Sequence, residues 1–245
     1  MEAAKEIRNA VAQVALLRGA VDANPALRSA LASVKRFQSH RFAGTYADLL
    51  AAPPYAAATR FFLEELYSDK DYAQRDAQFA RIAGAIEKMF PSQVASTAVA
   101  LAQLHALTED LDQAMAEALL PQQNALTEAQ RYVAAWRTVD RRADREKQLS
   151  VVLGIGRQVA RLTRTPGLRS MLKMMRGPAA ASGLGSLQRF LEAGFETFAG
   201  VVRQRGADEF LAIVQAREAA LIALLFDAER VACETELALT LGQAP

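Results

Sequence analysis

The sequence predicts an all-α protein, a multi-helix bundle of about nine or ten helices. Apolar residues recur every three to four positions along most of the 245 residues, which is the spacing of a helix with one buried face. Alanine is abundant and aromatic residues make up only 7% of the chain, a composition that favours helix over strand. The sequence has no alternating apolar–polar run bounded by turn residues, which would indicate a strand.

The first half of the chain contains five predicted helices and a short helical turn, most of them delimited by capping or breaking residues. Ile7, Val11 and Val14 lie on the apolar face of the first helix. Asn24 followed by Pro25 is the signature of a capped helix start. The next predicted elements are a helix from Pro25 to about Gly44, a short turn reaching Leu50, a helix at about Pro54–Tyr67, a turn at Ser68–Asp71 with a helix that stops at Pro91, and a helix at about Ser92–Leu119.

Pro121 marks the predicted boundary between two helical halves. Residues 120–127 form a short polar segment, so we expect one half at 1–120 and another at 127–245, packed into one body. Thr127 or a neighbour caps a long helical stretch that reaches about Arg164, with a break near Asp140. The later predicted elements are a short helix at Leu168–Arg176, a loop through Gly177, Pro178, Gly183 and Gly185, and helices at about Leu187–Arg205 and Asp208–Leu239.

Composition argues against several kinds of site. The single cysteine, Cys233, cannot form an intrachain disulfide, and no Cys-x-x-Cys pair is present. His40 and His105 are far apart and Glu-x-x-His pairs are absent, so we expect no metal site. A Gly-x-Ser-x-Gly motif is also absent, and no catalytic residue is assigned. Because the N-terminal residues are interrupted by charges and long apolar windows are lacking, we expect a cytoplasmic protein without a transmembrane segment.

A segment without acidic residues is the strongest charge feature of the chain. Residues 147–191 contain no Asp or Glu, although the net charge of the whole chain is only +2. Basic residues recur there at helical spacings, so they form stripes that could contact an anionic protein, nucleic acid or lipid surface. The alternative is a solvated surface neutralised by carboxylates such as Glu192 and Glu196. The six residues of this predicted basic surface are Arg157, Arg161, Arg164, Arg169, Lys173 and Arg176.

The predicted helix at residues 54–67 carries an excess of aromatic residues. Phe62 lies on its apolar face, whereas Phe61 and Tyr67 fall on opposite sides of that face. Aromatic residues on several sides indicate a helix that is buried on more than one side or forms the wall of a pocket. Glu65, at the edge of the apolar face, is a candidate pocket residue; the alternative is a hydrogen-bonded glutamate on a central helix.

His105 and Asp112 share one edge of the apolar face of the predicted helix at residues 92–119. Such a pair can orient a ligand or supply half of an acid–base pair, with Glu65 as the obvious partner from another helix. A haem protein needs only one axial histidine, so His105 leaves haem binding open. The alternative is a hydrogen-bonded histidine at the boundary of the core.

Several segments resemble an uncharacterised all-helical family of proteobacterial proteins. One segment lies in the first half of the chain and the others lie in the second half. The resemblance implies a helical fold and carries no assigned activity. The segments are Phe61–Asp71 with Arg75 and Asp76 after it, and the stretch that runs from Ile155–Gln158 through Met174–Pro178 to Leu187–Glu192.

Two functions of different classes follow from these observations. The first is a non-enzymatic protein that binds an anionic partner through the basic surface. The second is a helical bundle that binds an apolar ligand or a cofactor, such as haem, near Phe62 and His105, with enzymatic activity as an option. No specific cofactor is indicated by the sequence.

Overall fold

The computed structural model describes residues 2–65, 72–122, 126–204 and 206–244. Within these ranges the chain forms thirteen helices and no strand, which confirms the all-α prediction. None of these helices is both long and apolar enough to cross a bilayer. The helices are α1 (Glu2–Asp22), α2 (Pro25–Thr45), α3 (Ala47–Ala51), α4 (Ala56–Glu65), α5 (Ala73–Met89), α6 (Ser92–Leu119), α7 (Glu128–Val139), α8 (Arg142–Leu162), α9 (Leu168–Met174), α10 (Arg176–Ala181), α11 (Gly185–Gln204), α12 (Ala207–Asp227) and α13 (Arg230–Leu241).

Three clusters of buried apolar side chains form the core. The first cluster joins α1, α2, α6, α7, α12 and α13, the second joins α2, α3, α4, α8, α11 and α12, and the third joins α1, α5, α6 and α11. α6, with 28 residues, packs against α1, α2, α5, α7 and α8. Each cluster contains residues from both sides of residues 120–127, and the division into two halves stays a prediction.

Three predicted helix boundaries are confirmed, and each depends on local hydrogen bonds or backbone conformation. The Asn24 side chain accepts hydrogen bonds from two backbone N–H groups in the first turn of α2. Thr127 and Gln130 form a capping box at the start of α7. Asp140 adopts a left-handed conformation, φ 47°, and separates α7 from α8. Local side-chain chemistry is sufficient to place these boundaries.

The loop predicted after Arg176 is wrong in its first part. The structure has α10 there, with Pro178 in the first turn, where its missing N–H costs no helical hydrogen bond. Gly183, φ 67°, follows α10, and the backbone hydrogen bonds around it are those of a Schellman motif. Gly183, which suggested a loop in the sequence, therefore terminates an additional helix.

The single helix predicted over residues 208–239 is also wrong, because α12 and α13 are separate helices. Arg137 of α7 donates from Nε to the carbonyl oxygen of Leu225 at 3.2 Å, and its NH2 donates to the carbonyl oxygen of Ala228. These bonds satisfy carbonyl groups that a continuing helix would have used. The buried thiol of Cys233 donates to the carbonyl oxygen of Leu224 at 3.0 Å. A distant arginine thus stabilises the break.

Candidate functional site

A cavity of about 150 Å³ lies within the bundle. Side chains from α2, α4, α5, α6, α8 and α12 line it, and α7 and α11 contribute aromatic rings. Most of the lining is apolar. A cavity of this volume is large enough for a molecule about the size of benzene. Polar side chains interrupt the apolar lining, and two groups of them lie at His105 and at Asp112, about 10 Å apart along α6.

Asp76, on the first turns of α5, is the centre of the first polar group. One carboxylate oxygen, Oδ2, lies 2.9 Å from Nε2 of His105 and accepts a hydrogen bond from NH2 of Arg18 at 2.6 Å. Asp76 is only 5% exposed. One buried carboxylate therefore joins α1, α5 and α6 beside the cavity.

The surroundings of Asp76 keep this carboxyl group ionised. Burial by itself raises its pKa, but the hydrogen bonds and charges of His105 and Arg18 outweigh burial, so the pKa of Asp76 lies below its usual value. An ionised carboxylate only accepts hydrogen bonds, so Nε2 of His105 must be the donor. In neutral His105 the other ring nitrogen, Nδ1, is then an acceptor that can take a hydrogen bond or a proton from a ligand.

Asp76→Asn is expected to lower the free energy of unfolding at neutral pH by about 1.5–3 kcal/mol, the usual contribution of hydrogen bonds to a charged group. The unfolded-state pKa of an aspartate is about 3.9. Because the pKa of Asp76 is lower in the folded chain, its stabilising contribution is present above that value and is lost as pH falls through the folded-state pKa. Urea denaturation at several pH values would measure a difference between wild type and variant that shrinks in acid.

Asp112→Asn is the matched control, since burial raises the pKa of Asp112. Its protonated form is favoured in the folded chain, so its contribution is present at low pH and is lost as pH rises through the folded-state pKa. Relative to wild type, this variant should gain stability as pH rises. A loss of stability at Asp76→Asn that stayed the same down to strongly acidic pH would show that its carboxylate charge has no stabilising role.

Arg75 forms the wall of the cavity beside this group. Its guanidinium carbon lies 3.8 Å from the ring centroid of Tyr72 and 4.5 Å from that of Phe190. NH1 of Arg75 lies 3.6 Å from a carboxylate oxygen of Glu65. Burial lowers the pKa of Arg75, but a guanidinium stays protonated at neutral pH. Two aromatic rings therefore hold a cation and its carboxylate partner at the cavity.

The second polar group is centred on Asp112 of α6, which is 3% exposed. Its Oδ1 accepts a hydrogen bond from Nε2 of Gln38 at 3.0 Å. Burial raises the pKa of Asp112, although the charges of Arg145 and Lys35 oppose this effect. Lys35 is itself paired with Glu109 at 2.7 Å. The cavity thus contains one carboxyl group that burial drives toward its neutral form.

Arg145 of α8 lies beside this second group and is 7% exposed. Its guanidinium carbon lies 4.3 Å from the ring centroid of Trp136, and NH1 donates to Gln148 at 3.2 Å. NH2 of Arg145 and Nε1 of Trp136 are buried and have no hydrogen-bond partner among the described residues. A buried donor without an acceptor costs about 1–3 kcal/mol, so both groups are unusual in a folded core.

The cavity brings most of the predicted pocket residues together. Phe62 contributes to its wall, and the ring of Phe61 stacks on the wall residue Phe190 with centroids 5.7 Å apart. Tyr67 lies outside the described residues. The predicted ligand-binding candidates that line the cavity are His105, Asp112 and Glu65.

The pairing within the site differs from the sequence interpretation. The hydrogen-bond partner of His105 is Asp76, 29 residues earlier in the chain, rather than Asp112 or Glu65. Asp112 is bonded to Gln38 instead. These partners come from helices that are distant in sequence, and helical spacing on one element cannot identify them.

Two cavity residues that the sequence interpretation missed could have been found from their positions on the apolar faces of their helices. Asp76 stands three residues before Phe79, on the apolar face of α5. Arg145 stands four residues before Leu149 on α8, and both line the cavity. A charged residue at a position of the apolar stripe indicates a buried polar site, and this signal could have found both.

Three members of the basic surface are paired with carboxylates of α11. Arg169 donates two hydrogen bonds of 2.7 Å to Glu196, and Arg176 forms hydrogen bonds of 2.8 Å to Glu192. Lys173 lies 3.9 Å from Glu196. The pKa values of Glu192 and Glu196 both lie below the usual value, and the main cause is the hydrogen bonds that each glutamate accepts from its arginine. This part of the surface is locally neutralised.

The other three members lie on α8 and just after it. Their side chains are exposed, and none forms an ion pair with a carboxylate in the described part of the chain. Their positive charges therefore face solvent. These residues are Arg157, Arg161 and Arg164.

The chemistry available in the cavity follows from the side chains that line it. Serine and cysteine are absent from the described lining, which offers hydrogen-bond donors, carboxylates and the imidazole of His105. Among residues 2–65, 72–122, 126–204 and 206–244, no three His, Cys, Asp or Glu side chains are grouped to hold a metal ion. The described groups can bind a ligand, orient it and exchange a proton with it.

One family model matches the chain, described as a domain of unknown function (DUF8198), over residues 18–232. The matched range includes every polar side chain of the two groups that line the cavity. Comparison with curated proteins gave no match, and comparison with solved structures gave none. The chain therefore belongs to the DUF8198 family, an uncharacterised family as the sequence resemblance implied.

Proposed function

We propose that this protein binds a small molecule with an apolar body in its central cavity. The observation that supports this proposal is a cavity of about 150 Å³ whose mostly apolar wall carries two groups of buried polar side chains. Ligand sites in proteins usually combine an apolar wall with a few polar groups that fix orientation. Buried ionisable groups are costly for folding, and their concentration around one cavity is typical of functional sites.

The size of the cavity favours a small ligand over haem. A volume of about 150 Å³ corresponds to a molecule of the size of benzene, whereas haem is a macrocycle many times larger. Nε2 of His105, one of the two nitrogens that could bind an iron, is already 2.9 Å from Asp76. A single-ring molecule or a short branched chain suits this wall better.

Titration with benzyl alcohol is expected to change the fluorescence of Trp136 in a saturable manner, with one molecule bound per chain. Trp136 is the single tryptophan of the sequence and lines the cavity, so its emission reports a ligand there. Isothermal titration calorimetry would give the affinity and the stoichiometry. An emission that stays constant, together with no heat of binding for a panel of single-ring molecules, would contradict the proposal.

Ala102→Leu provides a variant that fills the cavity. Ala102 is buried on α6 and lines the cavity, so the larger side chain occupies part of its volume and should abolish binding without lowering thermal stability. Gln103→Leu is the matched control, because the neighbouring residue is exposed on the same helix. The control should bind benzyl alcohol as wild type does.

The exposed arginines of the basic surface support a second candidate function, contact with an anionic partner. Arg157, Arg161 and Arg164 stand four and three residues apart, so they share one side of α8 and its C-terminal turn. Their charges are not offset by a carboxylate of the described residues, unlike those of the other three members. This surface is separate from the cavity, and both functions can coexist.

Replacing Arg157, Arg161 and Arg164 together with Gln is expected to lower the salt concentration at which the protein elutes from heparin. Gln is also a good helix former, so folding should be preserved. The matched control replaces Arg169, Lys173 and Arg176 with Gln; it removes the same charge but should change elution less, because those groups already pair with Glu192 and Glu196. Wild-type protein that passes heparin unretained at low salt would rule out this candidate.

A further inference from the structure

Arg145 differs from the other cationic side chains that line the cavity. Lys35 is paired with Glu109 at 2.7 Å, Arg41 with Glu218 at 2.7 Å, and Arg75 lies 3.6 Å from Glu65. Arg145 forms no ion pair with a carboxylate of the described residues, although it is 7% exposed. A buried guanidinium that contacts no carboxylate directly is costly, and the nearby carboxyl group of Asp112 is itself driven toward its neutral form by burial.

The geometry around Arg145 leaves donors available. Its guanidinium carbon lies 4.3 Å from the centre of the Trp136 ring, and NH1 donates a hydrogen bond to Gln148. NH2 and the indole N–H of Trp136 are buried donors that lack an acceptor in the described part of the chain. A planar group with two acceptor oxygens matches a guanidinium edge better than a single hydroxyl does.

We propose that the ligand of the cavity is a carboxylic acid of single-ring size, whose carboxylate binds the Arg145 guanidinium while its apolar body lies among the aromatic side chains. This inference rests on the proposed ligand-binding function and adds the charge and the orientation of the ligand. The carboxylate would place a negative charge in direct contact with the guanidinium and would supply an acceptor for the buried NH2 group. The acidic end of the ligand lies at the Asp112 side of the cavity, away from His105.

Asp112 is the neighbouring group that competes with such a ligand. Its carboxyl group is bonded to Gln38 and interacts with the charge of Arg145 without forming an ion pair within hydrogen-bond distance. Burial raises the pKa of Asp112, which weakens this competition by favouring the neutral acid. The negative charge that Asp112 retains repels an anion at Arg145, so removing it in Asp112→Asn should make anion binding stronger, a result that no purely structural role for Asp112 predicts.

Benzoate, benzyl alcohol and benzylammonium form the test series, because they share a ring and differ in charge. Calorimetry at neutral pH should give benzoate an affinity about ten- to a hundredfold higher than benzyl alcohol, the range expected of a hydrogen bond to a charged group. In Arg145→Gln the ratio of the two affinities should fall to near one. In Asp112→Asn it should rise, and this second variant keeps the test valid if the first fails to fold.

The outcomes separate this inference from the proposed function. Benzoate and benzyl alcohol binding equally well, benzylammonium binding best, or a benzoate preference that survives in Arg145→Gln would each overturn the carboxylate assignment while the cavity remains a ligand site. Failure of all three compounds to bind would instead overturn the proposed function and the inference with it. A benzoate preference lost in Arg145→Gln and increased in Asp112→Asn supports the assignment.

Discussion

Phe62→Ala is expected to lower the free energy of unfolding by about 3–5 kcal/mol, the usual cost of emptying a buried aromatic position. Phe62 is 7% exposed, and its ring centroid lies 6.1 Å from that of Phe198 and 6.0 Å from that of Phe210. The truncation removes contacts among α4, α11 and α12 and enlarges the adjacent cavity. Urea denaturation followed by circular dichroism would measure the change.

Glu64→Ala is the matched control for this experiment. Glu64 is the next-but-one neighbour of Phe62 on α4 and is exposed to solvent, so its loss should change the free energy of unfolding by less than about 0.5 kcal/mol. A larger effect at Glu64 than at Phe62 would mean that α4 turns the face of Glu64, and not that of Phe62, toward the core.

Arg41→Met is expected to lower the free energy of unfolding by about 3–5 kcal/mol, because it leaves the carboxylate of Glu218 without its charged partner. NH1 of Arg41 lies 2.7 Å from Glu218, and the two side chains are only 7% and 13% exposed. The hydroxyl of Tyr46 also donates to Glu218, at 2.9 Å. The same denaturation experiment measures the loss of this link between α2 and α12.

The double variant Arg41→Met with Glu218→Met tests the origin of that loss. Removing both charges leaves no uncompensated buried ion, so the double variant should be more stable than the sum of the two single variants predicts. Strict additivity would show that the two side chains act independently. Replacing one partner at an exposed pair, Arg28→Met opposite Asp22, offers a control whose effect should be below about 1 kcal/mol.

Helix positions could be predicted from the sequence wherever the signals were local. The cap at Asn24, the capping box at Thr127 and the break at Asp140 all depend on residues within one turn. The break between α12 and α13 escaped prediction because the bond that stabilises it comes from Arg137, 88 residues before its acceptor Leu225. Tertiary contacts override helical periodicity at such a position.

The candidate site was predictable only in part for the same reason. His105 and Asp112 stood out because they share one edge of α6, and both line the cavity. Their hydrogen-bond partners, Asp76 and Gln38, come from α5 and α2, whose placement against α6 is set by packing of the whole bundle. Charged residues inside an apolar stripe, such as Arg145, were the best available signal of a buried polar site.

The first core cluster has a consequence for the order in which the chain assembles. It packs residues 21–37 against residues 225–237, two segments that are far apart in the sequence. During synthesis the apolar face of α2 must wait until α12 and α13 have left the ribosome before its burial is complete. Contacts of such long range form slowly, and unburied apolar surface promotes aggregation in the meantime. This cluster is therefore completed late, after all the helices that contribute to it have been synthesised.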